Sequence, residues 1–409
     1  MNDPYAVLRI ADFRLFISAR FCVTLAIQIQ GVVVGYQVYE LTKNPFSLGL
    51  IGLAEAIPSI VVSLYAGHVA DVVMRKKIIV WCLATLVFCS ASLLFFTTDT
   101  STFISSFGVM PIYSVIFVSG IARGFLTPAN FSFMPQLVPR ELFPTAVTVN
   151  SSTWEVASIA GPAMGGFLYG LLGITVAYSV DVFLTVIGLL LLLNVANKPL
   201  PEESEEQGIV EKIKAGLRFV FTNKIVLAAI SLDLFAVLFG GAVALLPIFA
   251  DQILHVGAVG FGFLRAAPSI GALLIAFILM HNPIKKNMGR VLLWCVAGFG
   301  FCMIGFGVST SFWLSLVLLM ASGGFDCVSV IIRLTLLQTL TPENMKGRVS
   351  AVNNIFIGSS NEIGMFESGV AAKAMGVVPS VIFGGCMTVA VVSTIGWLGR
   401  SLRRLQNVT

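Results

Sequence analysis

The chain has 409 residues, of which 57% are hydrophobic and only 11% charged. Soluble domains carry about 25% charged residues, so this polar complement is too small to clothe a globule in water. A net charge of +5 is too slight to argue for a nucleic-acid partner.

Apolar runs long enough to cross a bilayer, about 20 residues each, recur from end to end. They lie at about 14–39, 46–70, 78–97, 108–135, 144–171 and 174–196, then 225–248, 256–281, 290–309, 312–338, 350–372 and 377–399. The expected fold is all-α, with twelve transmembrane helices in two six-helix bundles, residues 1–196 and 225–409. Between them, 197–224 opens with Pro199, Pro201 and an acidic run. It continues with an apolar stripe (Ile209, Ile213, Leu217, Val220), the pattern of an interfacial helix in a cytoplasmic linker.

Basic residues set the orientation. With both termini in the cytoplasm, 19 of the 25 Lys and Arg fall on the cytoplasmic side and only Lys43 and Lys373 on the other. The remaining four, Arg20, Arg123, Arg265 and Arg333, lie within spans. No cleavable leader is expected at the start. The seven cysteines sit in apolar runs without ligand spacing and read as packing residues.

The two halves are diverged copies. Leu137, Pro139 and Asn150 match Leu340, Pro342 and Asn353 at an offset of 203, and Ser119, Gly120, Gly161 and Gly166 match Ser322, Gly323, Gly364 and Gly369 at the same offset. Earlier in each half, Gly52 and the run 56–60 match Gly262 and the run 266–270 at an offset of 210. Parallel repeats of this kind are a signature of secondary transporters.

These residues resemble the major facilitator superfamily. Gly67, Asp71, Arg75 and Lys76 look like that superfamily's loop motif between helices 2 and 3, with departures at Val72 and Met74. Gly161, Pro162, Gly165 and Gly166 resemble its glycine-rich helix-5 motif. A narrower similarity, to the enterobactin-exporter-like branch of siderophore and drug efflux, rests on Leu232, Asp233, Pro247, Leu264, Arg265 and Pro268. The resemblance implies alternating access, with helices 1, 4, 7 and 10 lining a cavity. It places Asp71 against the start of helix 11 as a gate, and the helix-5 glycines at close helix contacts.

Ionisable groups inside spans cost about 2.5–3.5 kcal/mol each to insert and are functional candidates by default. Glu55, Asp233, Glu362 and Glu155 are the proton-coupling candidates. Arg123 and Asp326, related by the repeat, form the expected charge pair of the cavity. Gln28, Gln30, Tyr36, Gln37, Trp154 and Arg265 are the substrate candidates. Arg20, Arg333, Asp181 and Glu367, toward helix ends, read as static pairs or end groups reaching the surface. No phosphate-binding loop or hydrolase motif is present, so neither ATP-driven pumping nor enzymatic activity is expected, and no cofactor or metal is implied. The sequence thus predicts a bacterial inner-membrane, proton-coupled exporter, monomeric, carrying a siderophore-like or amphipathic organic molecule. The alternatives are a facilitator for lysophospholipid, sugar or drug, and a transport-dead sensor or scaffold.

Overall fold

The computed structural model describes residues 6–98, 101–199, 217–282, 284, 286–342, 345–398 and 403. At Gly67, Asp71, Glu362 and some neighbours it describes the backbone alone. Twelve long helices follow in order: α1 Ala11–Thr42, α2 Pro45–Val72, α3 Arg75–Phe95, α4 Met110–Phe133, α5 Phe143–Phe167, α6 Ile174–Leu193, α7 Lys224–Gly240, α8 Gly257–His281, α9 Met288–Val308, α10 Phe312–Leu340, α11 Lys346–Met375 and α12 Val377–Leu398. There is no strand among the described residues. Ten of these segments are long and apolar enough to cross a membrane. The other two, α5 and α11, have the length but carry more polar residues, including Asn150, Glu155, Asn353 and Asn361. The chain is a multi-pass membrane protein of twelve helices.

Local chemistry explains the element ends. Lys43 closes α1 in the left-handed conformation (φ 49°), its N–H donating to Tyr39 O at 2.7 Å. Pro45 then opens α2, where its fixed φ suits a first turn and its missing N–H costs nothing. Asn223 caps α7 by accepting from the N–H groups of Ile225 and Val226 at 3.1 and 3.2 Å. The expected span 225–248 does not run straight. After Gly240 the chain passes through a 3-10 turn, Ala242–Leu245, and a π turn, Phe249–Ile253. Pro247 lacks an N–H, and its ring would clash with the carbonyl four residues back in a regular helix. The linker helix expected at 197–224 lies mostly outside the described residues; 217–222 are helical.

The helices gather into two compact units. Unit 1 comprises Met1–Lys43, Ala54–Ser204 and Gly257–Ala266; unit 2 comprises Asn44–Leu53, Glu205–Val256 and Ala267–Thr409. The first turns of α2 and α8 therefore belong to the unit that does not hold the rest of the helix. In unit 1, α1 packs on α5 and α6, and α3 on α4 and α6. In unit 2, α7 packs on α11 and α12, and α9 on α10 and α12. The second set is the first displaced by six helices.

Lipid is as apolar as a leucine side chain, so helices in it associate through close packing at small residues. The landmarks of the sequence repeat are those contacts. A Cβ on Gly120 of α4 would lie 2.6 Å from Glu55 O and 2.9 Å from the Pro58 ring of α2. A Cβ on Gly323 of α10 would lie 1.9 Å from Pro268 O of α8. Motifs found at two different offsets thus touch each other, once in each unit. Gly161 lies against Gln28 of α1, Gly165 against Ile29, and Gly166 against Gly262 of α8. Their counterparts Gly364 and Gly369 meet Leu238 of α7 and Gly49 of α2. Pro162, buried inside α5, adds its carbonyl to the contact with Gly262.

Candidate functional site: charged clusters inside each bundle

In unit 1 an ion pair joins two helices: Arg123 of α4 donates through Nη1 to Glu55 Oε1 of α2. Both side chains are about one-fifth exposed. Arg123 also lines a cavity of about 260 Å³ with Arg20, Thr24 and Gln28 of α1, Thr127 and Asn130 of α4, and Trp154 of α5. Gln28 is held in place by donating to Ser158 Oγ at 3.1 Å. Arg20, expected as a static pair or end group, has no hydrogen bond or ion pair among the described residues. The signal was present in the spacing. Arg20, Thr24 and Gln28 recur every four residues and so share a face of α1.

The other glutamines of α1 face inward. Gln30, 4% exposed, donates to Asp181 Oδ2 of α6 at 3.1 Å and to Ser90 Oγ of α3 at 3.3 Å. Gln37 accepts from the Tyr178 hydroxyl at 2.6 Å. Tyr36 is buried in an aromatic group with Tyr39, Tyr169 and Phe261, ring centroids 5.1–6.1 Å apart. Of the polar residues of α1 expected to meet substrate, only Gln28 reaches the cavity; Gln30 and Gln37 knit the bundle together. Asp181 is 1% exposed, the most buried carboxylate among the described residues of unit 1, rather than a group reaching the surface. Arg265 of α8 extends its guanidinium to Gly31 of α1. Glu155, half-buried on α5, has an Oε2 atom without a hydrogen-bond partner among the described residues.

In unit 2, Arg333 of α10 and Asp233 of α7 form an ion pair with side chains 2% and 7% exposed. Asp233 and Asp326 line one crevice of about 10 Å³ with Phe299, Phe325 and Ser329. That is room for about one water molecule. The structure therefore places Arg123 with Glu55 inside unit 1, and Asp326 beside Asp233 inside unit 2. The physical reason is proximity within a bundle: α2 touches α4 through Gly120, which brings Glu55 under Arg123 one turn on. Arg333 lies two turns beyond Asp326 on α10, so both project from one face toward α7.

The loop-motif residues have plain structural partners where they are described. Arg75 Nη1 donates to Ser132 O at 3.0 Å, and Lys76 Nζ to Leu193 O at 2.9 Å. Each cation sits at the carbonyl end of a helix, α4 and α6, where the dipole is negative. The side chains of Gly67, Asp71 and Glu362 lie outside the described residues. Asp12 ties the end of α6 to the start of α1, accepting from Lys198 Nζ at 2.8 Å and Ala196 N–H at 3.0 Å.

Inside a span this arrangement does one kind of chemistry. It pairs carboxylates with guanidiniums in each unit, and in unit 1 two guanidiniums and an aromatic side chain border a cavity. The comparisons with known proteins point the same way. The family model described as transmembrane secretion effector matches residues 2–406. The chain belongs to that family of the major facilitator superfamily. Among curated relatives, the enterobactin exporter EntS of Shigella dysenteriae serotype 1 is 27% identical over 83% of this chain and 80% of the relative. The same exporter from Escherichia coli strain 55989 matches to the same extent. Among solved structures, the POT family transporter PepTSo superposes with a TM-score of 0.75 at 12% identity, covering 96% of this chain and 98% of that one. The D-xylose-proton symporter gives 0.72 at 13%, covering 96% and 97%. At such identities the structural matches establish the fold alone. This secretion-effector family member is a membrane transporter by family and fold.

Proposed function

We propose that this transporter is a proton-coupled exporter of the bacterial inner membrane, monomeric, with both termini in the cytoplasm. It works by alternating access on a siderophore-like or amphipathic organic molecule. The observation that supports the reading is in unit 2: Arg333 pairs with Asp233, and a second carboxylate, Asp326, lines the same crevice as Asp233, inside a span. A single cation compensates a single carboxylate, and an uncompensated charge in a dry interior is strongly disfavoured. One of the two acids is therefore the place for a proton. When Asp233 takes it, Arg333 is free to turn toward Asp326, and this exchange converts a proton into a rearrangement of α7 against α10. Glu55 with Arg123 offers a second such pair in unit 1, and Glu155 and Glu362 remain candidates beside them.

Enterobactin flux in proteoliposomes under an imposed pH gradient tests the reading, since the curated relatives are named for that export. Asp233→Asn and Glu362→Gln are expected to remain folded and lose gradient-driven flux at least about tenfold, one proton-coupling step being worth more than 1.4 kcal/mol. Wild-type gradient dependence in both variants rejects those two sites. No flux of any organic solute at any gradient rejects the transporter reading in favour of a sensor or scaffold.

A further inference from the structure

From the unit 1 cavity we infer a binding subsite for an organic anion that carries an aromatic ring, with Arg20 as its charge partner and Trp154 as its stacking surface. Three observations support it. The cavity has two guanidiniums on its wall, Arg20 and Arg123, and no lining carboxylate among the described residues. Arg123 is compensated by Glu55, whereas Arg20 has no partner among the described residues. The site thus presents one net positive charge inside a span, where an unpaired guanidinium is costly and a bound anion relieves the cost. The rest of the lining suits an organic anion. Gln28, Thr24, Thr127 and Asn130 supply neutral hydrogen-bonding groups, and Trp154, 48% exposed, offers a ring face. At about 260 Å³, the volume matches one or two fused rings with a carboxylate rather than an inorganic ion. Apart from Trp154, its lining comes from the first half of α1, the first turns of α3 and the last turns of α4 and α6. With the N-terminus in the cytoplasm, that is the cytoplasmic half of the bundle, the side from which an exporter loads.

The inference rests on reading the chain as a carrier of organic molecules, and it names the chemical class of the cargo. Its test requires no gradient and so fails separately from proton coupling. Full-length protein in phosphatidylcholine nanodiscs is titrated calorimetrically with 1-naphthoate and with the uncharged 1-naphthamide. Wild type is expected to prefer naphthoate at least about tenfold, the size of a charge-assisted contact. Arg20→Gln loses the preference and Arg20→Lys keeps most of it. Trp154→Ala weakens both probes together. Equal affinity of wild type for the two probes, or an undiminished preference in Arg20→Gln, overturns the proposal. So does finding that phosphatidylglycerol, added to the nanodiscs, binds in an Arg20-dependent way while naphthoate does not, because the site is then a lipid headgroup site. If Arg20→Gln does not fold, the Arg20→Lys result and the wild-type preference decide.

Discussion

Arg333 is among the largest fully buried side chains of the protein, and its partner Asp233 is 5% exposed. Removing one member of a buried pair leaves the other uncompensated, commonly at a cost of about 3–5 kcal/mol. Here Asp326 lines the crevice beside Asp233, and in the proposed exchange it takes over the guanidinium. Asp233→Asn is therefore expected to lower thermal stability only slightly, whereas Asp233→Asn with Asp326→Asn destabilises by about 3–5 kcal/mol. Unfolding in detergent, followed for the two single variants and the double, measures this; additive small effects would separate Asp326 from the pair. In unit 1 the sign differs, because the pair faces a cavity. Glu55→Gln releases Arg123, leaving two free guanidiniums on the cavity wall. The expectation is tighter binding of 1-naphthoate by about threefold to tenfold, with 1-naphthamide unchanged. Weaker naphthoate binding would mean that Glu55 holds the cavity open.

At the scale of elements, the tightest approach of two helices is the most exacting feature of each unit. A Cβ at Gly323 would collide with the backbone of Pro268, which cannot swing away as a flexible side chain can. Gly323→Ala must part α8 from α10, and overpacking of this kind costs about 1–3 kcal/mol. At Gly305 the nearest atoms a Cβ would meet belong to the flexible Leu318 side chain, from 3.3 Å, and Gly305→Ala is expected to be near neutral. Melting temperatures of the two variants check the contrast. The proline break after α7 has a similar local origin. Its span looked continuous by hydropathy, because hydropathy counts side chains, whereas Pro247 acts by withholding a backbone donor.

For the whole molecule, orientation rests on the basic residues, 19 of 25 on one side. Lys43→Cys in a cysteine-depleted background is expected to react with an impermeant maleimide in intact cells, and Lys286→Cys only after permeabilisation. The reverse pattern would invert the topology and with it the loading side of the unit 1 cavity. Helix number, near-boundaries and the repeat were legible in the amino-acid sequence because burial in lipid acts on every residue of a span independently. Twenty consecutive apolar residues are visible without knowing their neighbours, and backbone hydrogen bonds close within each helix. That the landmark glycines of α4 and α10 meet the prolines of α2 and α8 followed only from the fold. So did the partner of each charge. Arg123 found Glu55, Arg333 found Asp233, Gln30 turned to Asp181, and Arg20 was left facing a cavity. Pairing depends on distances of a few ångströms between residues far apart in the chain, which a one-dimensional pattern does not contain. Hydropathy alone settled that this protein lives in a membrane; only the packing of helices around their glycines decided which of the described charges are paired there.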